Sequence, residues 1–240
     1  MIYGTRAVIE AIAAGKEIDK VMVQAGLSND LVKELIGVAR NNNIPITFVP
    51  AEKLKRISSK NHQGVICLLS VVAFASVDDL IYKAYNEGRE PFFLILDRIT
   101  DVRNFGAIVR TAECAGVDGI ILPDKGSVPI TSDAMKTSAG ALNHLPICRE
   151  KDLKKTIQLL HDNGIRVVAC TEKTERSIYE LNLTGPVTII LGSEEDGISD
   201  VLLRQADDLA QIPLKGKIGS LNVSVAAGIA LYEVVRQKGR

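Results

Sequence analysis

The sequence predicts an α/β protein, with a mainly parallel sheet covered by helices on both faces and a smaller α/β unit of about 70 residues ahead of it. Two observations carry this. Short β-rich runs alternate with helical segments along most of the chain. A polar stretch at 73–90 interrupts the alternation, and Pro91 then opens a new apolar run. With 46% hydrophobic residues in 240, a substantial core forms without disulfide or metal staples.

In the first part, KVMVQ (20–24), ITFV (46–49) and GVICLLSVV (64–72) have strand character. NDLVKELIGVARNNN places Leu31, Leu35, Val38 and Ala39 on one helical face, with Ser28–Asp30 to cap it and the Asn run 41–43 before Pro45 to close it. Residues 51–58 suit a shorter helix, and 76–90 suit a polar, capped helix ending at Gly88. The alternation resumes with FFLILD (92–97), a helix over 104–115, GIILP (119–123), a helix over 130–139 and a strand at 145–148. A helix over 151–163, RVVACT (166–171), VTIILG (187–192), a strand at 208–213 and a helix over 221–237 complete it. The domains expected are therefore 1–72 and 91–240, joined by a linker helix at 73–90. Pattern alone predicts an unknotted sheet, because knotted chains are rare.

Composition removes several functions. Trp is absent and aromatics are 4%, which argues against a stacking platform for single strands. No apolar run spans a bilayer, and the N-terminus is too acidic for a secretory signal. Cys67, Cys114, Cys148 and Cys170 form no C-x-x-C pair, and three lie in apolar stretches, so they read as reduced, mostly buried thiols. A soluble, cytoplasmic protein with no membrane partner is expected. Basic and acidic residues balance at 29 each, but residues 1–70 hold nine basic against six acidic. Lys53, Lys55, Arg56 and Lys60 are bunched before Asn61-His62-Gln63-Gly64, a pattern open to phosphate contacts or to plain solvation.

Ligands in open α/β sheets bind beyond the C-terminal strand ends, and three such ends here are polar. LDRITDVRNFGAIVRTAECAG has no G-x-G-x-x-G turn and instead supplies Asn104, with Arg110 six residues later. These two read equally as a helix N-cap and an exposed helical cation. VTIILGSEEDGIS runs into Gly192, where a ligand can approach the backbone, followed by Glu194, Glu195 and Asp196. QIPLKGKIGSLNVSVAAGIALYEVV leads from a Gly/Lys loop into a helix apolar nearly all round, which is either buried or packed on another subunit. Burial does not explain Ser220, Asn222 and Ser224 at its start. His62, His144 and His161 have no ligand spacing, so no metal is expected.

Taken together, NFGAIVRTAECAG, LGSEEDGIS and IPLKGKIGSLNVSVAAGIALYE resemble, in order, the three motifs of the TrmH family of SPOUT methyltransferases, over residues 92–240. YGTRAVIEAI and KNHQGVI are similar to N-terminal segments of the branch that methylates 23S ribosomal RNA and carries an L30e-like domain. The resemblance implies a trefoil-knotted methyltransferase domain behind an L30e-like RNA substrate-binding domain. It implies S-adenosylmethionine as cofactor and 2′-O-methylation of a guanosine ribose in 23S rRNA, while the apolar C-terminal helix predicts a homodimer. Carried over by motif, the cofactor would meet Thr171, Gly192, Ile212, Leu214, Ser220 and Leu221, and the catalytic positions fall on Asn104, Arg110, Glu194, Ser220 and Asn222. Arg110 as a base conflicts with the high pKa of guanidinium, so it more simply engages the hydroxyl and adjacent phosphate. The competing expectations are another RNA target (transfer RNA or a different ribosomal site), a non-catalytic RNA-binding or assembly protein, and a small-molecule enzyme. Against the last stand the missing phosphate loop and the unused N-terminal domain.

Overall fold

A computed structural model describes residues 1–239. The chain divides into two compact units, Met1–Ala73 with Pro129–Asp133, and Phe74–Val128 with 134 onward.

The first unit contains β1 (Ile2–Tyr3), α1 (Thr5–Ala13), β2 (Ile18–Gln24), α2 (Asp30–Asn41), β3 (Ile46–Val49), α3 (Ala51–Ile57) and β4 (Val65–Leu69). Its sheet runs β1-β4-β2-β3, with β2 and β3 parallel and β4 antiparallel to β1 and β2. Val8, Ile12, Val32 and Leu35 of α1 and α2 pack on Val21, Val23 and Val65. On the other face Leu54 of α3 packs with Met22, Val49 and Ile66. Asn29 caps α2, its side chain accepting from the Val32 N–H at 2.9 Å. The strand expected over 64–72 stops at Leu69 because the backbone leaves the ladder: Ser70 N–H bonds Glu17 O, and Val71 N–H bonds Ile130 O. Ile130 N–H in turn donates to the buried Asp19 carboxylate at 2.8 Å.

The second unit contains β5 (Phe74–Ala75), α4 (Val77–Asn86), β6 (Phe92–Asp97), α5 (Val102–Cys114), β7 (Gly119–Pro123), α6 (Ser132–Thr137) and β8 (Ile147–Glu150). It continues with α7 (Leu153–Asp162), β9 (Arg166–Cys170), β10 (Val187–Gly192), α8 (Asp200–Leu203), β11 (Asp208–Ala210) and α9 (Val223–Lys238). The seven strands, ordered β11-β9-β10-β6-β7-β8-β5, are all parallel. Every residue of β6 is buried, the signature of a central parallel strand that the run FFLILD announces. Ile81 of α4, Ile157 and Leu160 of α7 and Leu202 of α8 cover one face over Phe93, Ile95 and Ile190. α5 packs on α9, and α9 on β10.

The segment 73–90 forms the expected helix, α4, behind the edge strand β5, and Val77 and Ile81 of α4 belong to the core of the second unit. Two expectations need correction. The helix over 130–139 is the short α6, because the Ile130 N–H is held by Asp19 ahead of it, outside any helix. The strand over 208–213 ends at Ala210; Gln211 makes an isolated parallel bridge with Ser177, and 212–214 are loop. α9 is also not buried all round: Ala227, Leu231 and Val234 are buried, while Val225 and Tyr232 are 50% and 49% exposed.

β6 and β10 lie side by side. The chain leaves β6 toward β7 and leaves β10 toward β11, in opposite directions across the sheet. Diverging connections open a crevice above the two strand ends. Among the described residues, no helix is long and apolar enough to cross a membrane, and no group of three or more His, Cys, Asp or Glu could hold a metal.

Candidate functional site

A cavity of about 380 Å³ lies at the C-terminal ends of β9, β10 and β11. Thr171 follows β9, Gly192 ends β10, Ile212 and Leu214 follow β11, and Ser220 and Leu221 precede α9; all six residues expected at the cofactor line it. The size fits a small organic ligand. One wall is apolar (Ile212, Leu221, Val223, Ala226), while Glu172, Glu194, Glu195 and Asp196 make the rest acidic. Such a lining suits a ligand with a flat apolar ring and a cationic centre.

Gly192 is required by space. A β-carbon there would lie 2.1 Å from Gly197 C, 2.2 Å from Gly197 O and 2.3 Å from Ile198 N. The turn 193–197 thus folds directly over the end of β10. It is closed by the Gly197 N–H to Ser193 O bond at 3.0 Å and the Asp196 N–H to Ser193 Oγ bond at 3.1 Å.

At the rim of this cavity side chains from the first turn of α5, the turn after β10 and the N-cap of α9 meet. Asn104 Nδ2 donates to Glu194 Oε1 at 3.1 Å, and Asn222 Nδ2 donates to the same oxygen at 2.6 Å and to Asn104 Oδ1 at 3.0 Å. The Val223 N–H also donates to Glu194 Oε1 at 3.3 Å. Asn222 is the N-cap of α9, its Oδ1 accepting from the Ser224 N–H at 3.0 Å and the Ser224 hydroxyl at 2.5 Å. The polar cluster at the start of this helix is therefore partly a cap and partly a link to Glu194.

Asn104 does not cap α5. Asp101 does, accepting from the Arg103 and Asn104 N–H groups at 2.8 Å each. This frees the Asn104 side chain, in the first helical turn, to reach Glu194. The signal was present in the sequence, since an aspartate three residues before Asn104 is a strong cap.

The other two expected catalytic residues are not in this trio. Ser220 lines the cavity wall. Arg110 is exposed and lines a different cavity of about 300 Å³, with Glu113, Cys114, Asn143 and His144. Six residues along a helix turn about 600°, which puts Arg110 roughly 120° around α5 from Asn104. Asp97 and Arg98, polar residues of the same strand end to which sequence reasoning gave no role, contact the 196–199 backbone and side chains.

A model described as the SpoU rRNA Methylase family matches residues 91–232, and one described as RNA 2′-O ribose methyltransferase substrate binding matches residues 1–72. A protein of Bacillus subtilis named as a TrmH family tRNA/rRNA methyltransferase is 33% identical over 237 residues, covering 99% of this chain and 95% of its own. A similarly named protein of Staphylococcus saprophyticus is 35% identical over 238 residues, covering 99% and 96%. The AdoMet-bound rRNA methyltransferase from Sinorhizobium meliloti superposes with a TM-score of 0.62 at 26% identity, over 95% of this chain and 84% of that one.

Proposed function

Because the chain belongs to the SpoU rRNA methylase family of S-adenosylmethionine-dependent RNA 2′-O-methyltransferases, we propose that its substrate is a guanosine ribose of 23S ribosomal RNA. The observation that carries the reaction is the Asn104–Glu194–Asn222 trio at the rim of the cavity that fits the cofactor.

Bound S-adenosylmethionine supplies a methyl group on an electrophilic sulfonium. The protein's share is to bind, to orient and to manage one hydroxyl proton. Gly192 lets the 193–197 turn close over the end of β10 and so form the cavity wall, and Ile212, Leu214 and Leu221 wall an aromatic ring. Glu194 Oε1 collects three N–H donors, which leaves Oε2 as the oxygen we assign to a ligand. Asn104 has a second amide hydrogen for the ribose. Arg110 engages the RNA through the hydroxyl and its neighbouring phosphate from its own cavity, a role that suits a permanent cation.

The first unit supports ribosomal RNA. Lys53, Lys55 and Arg56 are exposed along α3, and Lys60 lies 5.4 Å from the centre of the Tyr3 ring, a cationic face for phosphates. The half-exposed Val225 and Tyr232 on α9 support a homodimer through that helix. The cofactor cavity draws on the segments after β9, β10 and β11, the ones a trefoil knot would thread, and the knot is part of the same proposal.

Relatives are named for both tRNA and rRNA, so the test offers both. Methylation of 23S fragments and of tRNA with labelled cofactor, followed by mapping of 2′-O-methyl positions, should mark one guanosine in a 23S fragment. Labelled tRNA with unlabelled 23S would overturn the choice of substrate. Light scattering at micromolar concentration should give twice the monomer mass.

A further inference from the structure

Arg98, the first residue after β6, has φ of +61°, a region that a β-carbon disfavours. Glycine would sit there without steric cost. An arginine needs contacts that hold it, and its guanidinium makes them. Nη1 donates to Asp196 Oδ2 at 3.1 Å, Nη2 donates to the Gly197 carbonyl at 3.0 Å, and Nε lies 3.5 Å from Asp97 Oδ1. Asp97, 5% exposed, accepts the Ser199 N–H on its other oxygen at 2.8 Å.

Asp97 and Arg98 therefore grip the chain at 196–199 from below the turn that carries Glu194. The turn has only two hydrogen bonds of its own, both to Ser193. It also brings three successive acids together, and Arg98 is the cation paired with one of them. Arg98 touches no member of the trio. It ties the loop leading to Asn104 to the loop carrying Glu194, so the relative placement of those two side chains passes through it.

We infer that Arg98 is a positioning residue for methyl transfer: its guanidinium fixes the 193–197 turn, and through it both the cofactor cavity wall and Glu194. This rests on the methyltransferase reading of the trio. The rival physical account is that the left-handed backbone alone shapes the loop and the side chain is incidental.

Arg98→Gly separates the two, since it relieves the backbone while removing the guanidinium. Arg98→Lys keeps a cation for Asp196 but cannot also reach the Gly197 carbonyl as a planar fork. Calorimetric titration with S-adenosylmethionine reads the cavity wall without RNA, and steady-state methylation of 23S fragments reads the trio. For Arg98→Gly the affinity for cofactor falls on the order of tenfold, kcat falls roughly tenfold to a hundredfold, and the KM for RNA is unchanged. Arg98→Lys recovers part of both losses. In a Glu194→Gln background Arg98→Gly lowers kcat no further, because both changes act on one network. Wild-type cofactor affinity in Arg98→Gly overturns the inference, as does a kcat loss that persists undiminished in the Glu194→Gln background. A wild-type protein that binds cofactor but methylates no 23S fragment would instead overturn the proposed substrate, leaving the calorimetric result to decide on Arg98.

Discussion

Asn222 and Glu194 are 28 residues apart in sequence and 2.6 Å apart in space, amide to carboxylate, and Asn104 closes the triangle from 118 residues before Asn222. One oxygen of Glu194 takes amide hydrogens from both asparagines and the first backbone N–H of α9. Asn222 therefore has two jobs, capping the helix with its oxygen and holding Glu194 with its nitrogen.

Serine at 222 separates these jobs. It keeps the cap, which is worth about 1 kcal/mol against alanine, but has no amide to give Glu194. Asn222→Ser should melt close to wild type and lose methylation on the order of a hundredfold, whereas Asn222→Ala should lose both. Thermal melts beside initial rates check this. A serine variant at full activity would show that the contact with Glu194 is incidental.

Gly192→Ala puts a methyl group where the Gly197 and Ile198 backbone already lies, 2.1 to 2.3 Å away. The turn must lift, and the cavity wall with it. The variant should bind S-adenosylmethionine at least about tenfold more weakly by calorimetry, on the scale of small misplacements in a site.

Arg110 lines a cavity other than the one at the ends of β9, β10 and β11. Arg110→Ala should abolish methyl transfer to RNA and leave cofactor affinity as it was. Single-turnover rates and calorimetry on the same preparation give the two numbers, and a joint loss would place Arg110 at the cofactor after all.

Glu233 on α9 is 4% exposed, accepting Arg236 Nε and Nη2 at 2.8 and 2.7 Å and Gln237 Nε2 at 2.7 Å. The Arg236 guanidinium, with help from Gln237, holds its carboxyl below the usual carboxylate range. A lowered native pKa stabilises the fold fully above the unfolded value near 4.5, and that contribution is lost as pH falls through the native value. Arg236 is mostly exposed, so the gain is screened and small. The difference in melting temperature between wild type and Glu233→Gln should be present at pH 7 and close below pH about 4.5.

Burial pushes the thiols of Cys67, Cys148 and Cys170 up to about 12. Cys114 is exposed. Iodoacetamide at pH 8 should therefore alkylate Cys114 first, with the buried Cys67 and Cys148 protected until denaturant is added, as peptide mass mapping would show. Rapid labelling of Cys67 or Cys148 in the native protein would contradict their burial.

Much of the fold was legible before any coordinates. Buried parallel strands such as FFLILD and VTIILG are continuous apolar runs, and amphipathic helices show their spacing. Thr171, Gly192, Ile212, Leu214, Ser220 and Leu221, carried over by the family resemblance rather than by pattern, all line the cavity at the strand ends. The helix expected within 73–90 is present as α4, but its packing on the core of the larger unit was not legible, because a polar, capped stretch does not announce a partner. Asn104 was open to reading as a cap because the competing cap, Asp101, differs from it only in where the helix begins.

By itself, then, the sequence determined which segments are strands and helices and which polar residues stand at their ends, since periodicity and side-chain chemistry are local. The tertiary structure alone decided which of those residues meet. It joined Asn104, Glu194 and Asn222, put Arg110 on a separate cavity, and set Arg98 left-handed beneath the turn of Glu194. The physical reason is that hydrogen bonds across 90 and 118 residues depend on strand order and helix phase, which no single stretch of chain encodes.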